Sequence, residues 1–130
     1  MGAFDTLSIG SSGASLSRTW IDAIAHNIAN VNTINPAGQE PFRSKLVIGS
    51  ARSNGHGVDV VAIEETNAEA PIAYDPTHPY ATAEGYVTRP VVDLAGQMAD
   101  LIAAQRAYQA NLSVVRSGRE AYESAMRLGK

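Results

Sequence analysis

From Leu94 to the carboxyl end, positions recur at alternating spacings of four and three: Leu94, Met98, Leu101, Gln105, Tyr108, Leu112, Val115, Arg119, Tyr122 and Met126. Eight of these ten side chains are apolar, no proline interrupts the run, and Gly96 and Gly118 are its only weak points. This period predicts a single helix of about 36 residues and about 54 Å, with a coiled-coil-like seam along one side. A chain of 130 residues has too small an interior to surround such a helix. The seam therefore needs a partner, in the same chain or in another molecule.

The amino-terminal region, about residues 5 to 32, repeats the pattern less strictly. Leu7, Ala14, Ile21 and Ile28 fall seven apart, with Ile24 and Val31 three residues after the last two. Gly10, Ser11, Ser12 and Gly13 weaken the first half, because glycine loses backbone entropy and serine competes for backbone hydrogen bonds. That half is expected to order only on contact. Two long terminal helices with apolar stripes can cover each other as an antiparallel, coiled-coil-like pair.

Between them, residues 33 to 90 hold all six prolines and read as turns and short strands. Phe42 to Ile48 and Val58 to Ile63 carry β-branched and aromatic residues, and Ser53-Asn-Gly-His-Gly57 supplies the turn of a hairpin. Ile72 to Tyr74 and Gly85 to Thr88 suit further short strands, and Asp75-Pro-Thr-His-Pro79 suits a turn. The expected fold is mainly α with a small β insertion. It divides into an amino-terminal helix and asparagine motif (1–33), a central β and turn-rich segment (34–90) and a carboxyl-terminal helix (91–130), together forming one structural unit.

Several chemistries find no support in this composition. A net charge of −3 with no basic block lacks the footprint of a nucleic-acid binder. The absence of cysteine removes disulfides, thiolate nucleophiles and cysteine-bound zinc. His26, His56 and His78 stand in no metal-ligand spacing, so no metal and no cofactor is expected. Gly10-Ser-Ser-Gly13 lacks the lysine of a phosphate-binding loop, and no Gly-x-Ser-x-Gly elbow marks a nucleophile. Glu64, Glu65 and Glu69 read as a solvated edge. Met1 to Ser11 has neither the basic start nor the apolar core of a cleaved leader, and no stretch is long and apolar enough to span a bilayer.

Gln105 and Arg119 break the apolar seam, either as buried polar residues that fix register or as marginal ones that reach solvent. Tyr108 and Tyr122 suit either core or interface. Ala25-His-Asn-Ile-Ala-Asn-Val-Asn-Thr33 places three asparagines near a helix end. Asn30 and Asn32 are expected to terminate the helix through αL geometry or side-chain capping, and their amides could also bond across subunits.

The stretch Trp20-Ile-Asp-Ala-Ile-Ala-His-Asn-Ile-Ala-Asn-Val-Asn-Thr33 resembles the amino-terminal signature of the flagellar rod, hook and filament axial family, carried here by Ala29, Asn30, Asn32 and Thr33. Ala73-Tyr-Asp-Pro-Thr-His-Pro79 followed by Glu84-Gly-Tyr-Val87 is similar to a segment of its proximal rod members. That segment includes Tyr74, Asp75, Pro76, His78, Pro79, Gly85 and Tyr86. Gln105-Arg-Ala-Tyr-Gln-Ala-Asn-Leu112 resembles the family's carboxyl-terminal helix motif. Tyr80 and the stretch Thr33 to Glu40 depart from the pattern.

The resemblance implies a structural, non-enzymatic subunit of the basal-body rod, exported through the flagellar type III apparatus without leader cleavage. Its partners would be copies of itself, other rod proteins, and membrane-ring and export-gate components, with no nucleic acid and no direct membrane insertion. The inter-subunit or helix-seam residues would be Ile21, Ile24, Ile28, Leu94, Met98, Leu101, Gln105, Tyr108, Leu112, Val115, Arg119 and Tyr122. Three other readings stand beside it: another proximal rod type, a self-contained helical-hairpin binding module, and a small enzyme using His78 with Asp75 or Glu84. A rod subunit is expected to be poorly ordered in isolation.

Overall fold

A computed structural model describes residues 3–129. Its two long helices are α1 (Ala3–Ala29) and α2 (Leu94–Leu128), about 40 and about 52 Å long. They run antiparallel: Leu7 lies against Gly118, Gly10 against Asn111 and Val115, and Asn27 against Gln97. The expected architecture, mainly α with a small β insertion, is the one observed.

The amino-terminal half of α1 is helical where it lies against α2. Gly10-Ser-Ser-Gly13 lies inside a continuous helix, because small residues there let the two backbones approach. Gly10 is buried, and a Cβ on it would stand 2.9 Å from Val115 Cγ2 and 3.2 Å from the Asn111 carbonyl oxygen. The hydroxyls of Ser12 and Ser17 donate back to the carbonyls of Ile9 and Gly13, so these serines are satisfied within the helix. Intrinsic propensity is outweighed here by packing.

The hairpin forms from β1 (Lys45–Ala51) and β2 (Val58–Glu65), antiparallel, with a bulge that leaves Val61 unpaired between Val60 and Ala62. The first strand begins at Lys45 rather than Phe42, because the chain just before it bonds elsewhere. The Ser44 N–H donates to the Val91 carbonyl and the Val91 N–H to the Phe42 carbonyl. This hairpin packs on α1 and not on α2. Leu16 and Trp20 lie beside Val47, Gly49 and Val58, while the Val58 N–H donates to Ser12 Oγ at 3.1 Å. At the turn, His56 Nδ1 lies 2.7 Å from the Asp5 carboxylate. Arg52 donates two hydrogen bonds to Asp59, at 2.7 and 2.9 Å, and these hold the Asp59 carboxyl below its usual range. Because the folded value is lowered, this support exists above the ordinary carboxylate pKa and fades as pH falls through the lowered one.

A second antiparallel ribbon, β3 (Ile72–Tyr74) with β4 (Tyr86–Thr88), packs on no helix or other strand among the described residues. In this it differs from the hairpin, which leans on α1. The ribbon closes locally: Tyr74 and Tyr86 meet edge to face at 5.3 Å, the Asp75 N–H donates to the Gly85 carbonyl, and the Thr77 hydroxyl donates to the Asp75 carboxylate. Gly85 has φ of 83°, and a Cβ there would stand 2.9 Å from Tyr74 Cε2.

Two substitutions probe this architecture. Gly10→Val should lower the free energy of urea unfolding by about 1–3 kcal/mol, since overpacking at the helix crossing exceeds the gain in helix propensity. Gly85→Ala should destabilise its turn by about 1–2 kcal/mol. That loss should appear as faster amide exchange over residues 74–88, with the unfolding midpoint of the helices unchanged, because the ribbon supports no other element.

Candidate functional site

The interior of this protein is narrow. Among the described residues its buried apolar side chains are Ala14, Ala23, Ile24, Val87 and Ala104, and the two largest side chains wholly out of solvent are Ile24 and Asn27. Asn27 is 0% exposed and sits where two stripes of α1 converge. One stripe, with Ser12, Leu16 and Trp20, faces the hairpin, and the other, with Gly10, Ala14, Ser17 and Ile24, faces α2. The Asn27 amide joins both. Its Nδ2 donates to the Lys45 carbonyl at 2.9 Å and to Gln97 Oε1 at 2.8 Å, and its Oδ1 accepts from the Lys45 N–H at 2.7 Å.

The face of α2 that meets α1 comprises Gln97, Leu101, Ala104, Tyr108, Asn111, Val115 and Gly118, again at alternating spacings of four and three. It shares Leu101, Tyr108 and Val115 with the seam read from the sequence. Leu94, Met98, Gln105, Leu112 and Arg119 lie to one side of it and are exposed. The reason is again close approach: Gly10, Gly13 and Gly118 bring the two backbones together, so only part of the apolar run fits between the helices. Tyr122 meets Phe4 at a ring separation of 5.4 Å, and the helix beyond it is exposed. Ile24 is buried in α1, while Ile21 and Ile28 are half-buried. Gln105 reaches solvent, as does Arg119, which pairs with Glu123 at 3.0 Å along the helix. The polar residues at the helix crossing are instead Asn27, Gln97 and Asn111.

Two unlike flanks of α2 remain uncovered, since α2 touches no element but α1. On one side stand Leu94, Met98, Ile102 and Leu112, with Met98 and Ile102 53% and 54% exposed. On the other, Ala110, Val114, Ser117 and Ala121 border an open groove of about 560 Å³ against Thr6. The first flank offers knobs and the second a shallow recess.

The asparagine motif ends α1. Asn30 Nδ2 donates to the His26 carbonyl at 2.8 Å, and the Thr33 hydroxyl donates to Asn30 Oδ1 at 3.1 Å. No residue except glycine has positive φ among the described residues, so Asn30 stops the helix by side-chain capping rather than by an αL turn. Ala29 and Asn32 are exposed. Asn27 was the signal that spacing did not resolve, since its partners lie 18 and 70 residues away.

The groups named for an enzyme reading are engaged in turn structure. His78 Nδ1 accepts from the Tyr80 N–H at 3.1 Å, and Asp75 accepts from Thr77. Pro76 and Pro79 are exposed in that turn, while Glu84 is exposed beside Gly85. Glu64, Glu65 and Glu69 face solvent. No helix among the described residues is long and apolar enough to cross a membrane.

Comparison with known proteins gives this geometry a context. A family model described as "Flagellar basal body rod FlgEFG protein C-terminal" matches residues 83–128, which span the ribbon's return and α2. The chain is 34% identical to the flagellar basal-body rod protein FlgC of Borreliella burgdorferi, with 97% of both chains covered. It is 30% identical to FlgC of Bacillus subtilis over the whole of both. It is 34% identical to FlgC of Agrobacterium fabrum, with 94% of this chain and 91% of the relative covered. Likeness at this level over nearly the whole of both chains leads to one conclusion: the chain belongs to the FlgC family of flagellar basal-body rod proteins, structural subunits of the rod rather than enzymes.

Proposed function

We propose that this subunit polymerises through its terminal helices, and that the resulting tube is a drive shaft which carries torque and surrounds the export channel. The observation that carries this reading is the apolar flank of α2 left bare by its own chain: Leu94, Met98, Ile102 and Leu112. Fully covering an aliphatic side chain stabilises by about 1.5–3 kcal/mol, so four of them half-exposed hold several kcal/mol that only another molecule can release. The recess beside Val114 and Ser117, on the opposite flank, is the complementary surface. Contact between unlike patches is heterologous, and heterologous contacts that do not close build helical assemblies.

In this arrangement the helical segments 1–33 and 91–130 lie toward the axis and residues 34–90 face outward or brace neighbours, the three acting as one unit. Ile21, Ile28, Tyr108 and Val115, half-buried in the free subunit, become fully covered. Ala29 and Asn32 of the asparagine motif, and the exposed Tyr74 and Tyr86 of the ribbon, are then available to neighbours. The neighbours are copies of this chain, other rod proteins, and ring and export-gate components of the basal body. Export proceeds through the flagellar type III apparatus without leader cleavage, and the assembled rod crosses the periplasm.

Met98→Asp and Ile102→Asp test the reading. Both sites are exposed, so each substitution should change monomer stability by no more than about 0.5 kcal/mol. Each should nevertheless abolish rod completion and motility in a strain that depends on this chain. Normal flagella in both strains would refute the interface. Amide exchange of the isolated chain offers a second check: protection should be greatest near residues 20–28 and 97–108 and least over 123–129, where α2 runs past the contact of Tyr122 with Phe4. Uniform strong protection to the end of α2 would instead favour a self-sufficient helical hairpin.

A further inference from the structure

Both helix faces repeat every seven residues, so more than one antiparallel alignment offers them small and apolar contacts. Sliding α2 along α1 by one heptad, about 10.5 Å, would set Leu7 against Ala125 and Gly13 near Gly118. Packing alone discriminates weakly between such alignments. The Asn27 amide discriminates strongly. Both protons of its Nδ2 are committed, one to the Lys45 carbonyl and one to Gln97 Oε1, and its Oδ1 is held by the Lys45 N–H. In the slipped alignment the position opposite Asn27 is Ala104, whose methyl group accepts no hydrogen bond, and a wholly buried donor would be left without a partner.

We infer that Asn27 is the positioning residue that selects the register of the helix pair and ties that register to the hairpin. Lys45 opens β1, so the same amide that reads Gln97 on α2 also fixes where the hairpin starts along α1. The register decides how far the bare flank of α2 is displaced along α1, and therefore which side chains a subunit presents together. A second restraint lies close by, in the hydrogen bonds of Val91 with Phe42 and Ser44. The test must separate the two.

The chain has no cysteine, so introduced pairs report without background. L7C/G118C reads the observed alignment, where a Cβ at Gly118 stands 3.6 Å from Leu7 Cγ. L7C/A125C reads the slipped one, since in the observed alignment those positions are about 10 Å apart and beyond disulfide reach. Each pair is placed in the otherwise natural full-length chain and in an N27L/Q97L background, oxidised at high dilution, and quantified by mass spectrometry. With Asn27 present, the first pair should close and the second should give a trace. In N27L/Q97L, with helix content retained by circular dichroism, the ratio of observed to slipped cross-link should fall at least about tenfold, the factor implied by losing one buried, directional amide contact.

An unchanged ratio in a helical N27L/Q97L chain would overturn the inference and assign the register to the Val91 ladder. Loss of helicity in that variant would also overturn it, because the amides would then be holding the pair together rather than choosing its alignment. The single variant N27L, which leaves Gln97 in the crossing, should show the same fall in ratio.

Discussion

A buried amide with every hydrogen-bonding group engaged behaves differently from a buried methyl group. The methyl accepts any apolar neighbour, whereas the amide accepts one arrangement and penalises the rest. Asn27 occupies the meeting point of α1, α2 and β1, and the three elements touch one another through α1. Along the crossing Gly10, Ala14, Ser17 and Ala104 contribute proximity more than buried area, and Ile24 is the one large aliphatic side chain wholly out of solvent among the described residues. Removing the amide would leave a pair of helices with matching periods and the Val91 hydrogen bonds beside them to distinguish one alignment from the next.

That division of labour explains why so much apolar surface lies outside. Closely approaching backbones leave room for only some bulky side chains, so Leu101, Tyr108 and Val115 stay on the inner face while Leu94, Met98 and Leu112 lie on the flank of α2. A conventional two-helix hairpin would turn Leu94, Met98 and Leu112 inward and gain a core of its own. Here the subunit keeps a thin interior and presents its largest apolar stripe to whatever stands beside it. The face that pairs with α1 and the bare apolar flank are thus different sides of one helix.

Much of this was legible in the residues. The proline boundary and the long heptad run located α2 from Leu94, β-branched stretches around Ser53–Gly57 located the hairpin, and Asp75-Pro-Thr-His-Pro79 located the turn of the ribbon. The phase of the seam was not legible. Hydrophobic periodicity marks apolar faces but does not say which face meets a partner in the same chain, and here the bulkiest one does not. Gly10-Ser-Ser-Gly13 reads as a weak helix former for a related reason: propensity scales describe isolated helices, whereas a glycine against the Asn111 carbonyl is required by the distance between backbones. Gln105 and Arg119 drew attention as polar interruptions of the apolar run, while the interior amides, Asn27 and Gln97, stood outside that run and carried no pattern linking them across 70 residues.

The two unlike flanks also bear on how force would pass through an assembly of such subunits. A contact between identical patches is symmetric under exchange and leaves no preferred direction. A row of knobs seated in a neighbour's recess has a donor side and an acceptor side, so every subunit in a row points the same way. Torque applied at one end is then shared among many equivalent contacts, each weak, with no single one limiting. Such sharing requires that all subunits offer the flank at the same height along the axis. A register error of one heptad in a single copy would displace its knobs by about 10 Å and leave its neighbours' recesses unfilled. A polar, load-sharing helical assembly therefore demands a more exacting alignment of α1 with α2 than the stability of the lone subunit does, and a costly directional amide in a thin interior is a physical means of meeting that demand.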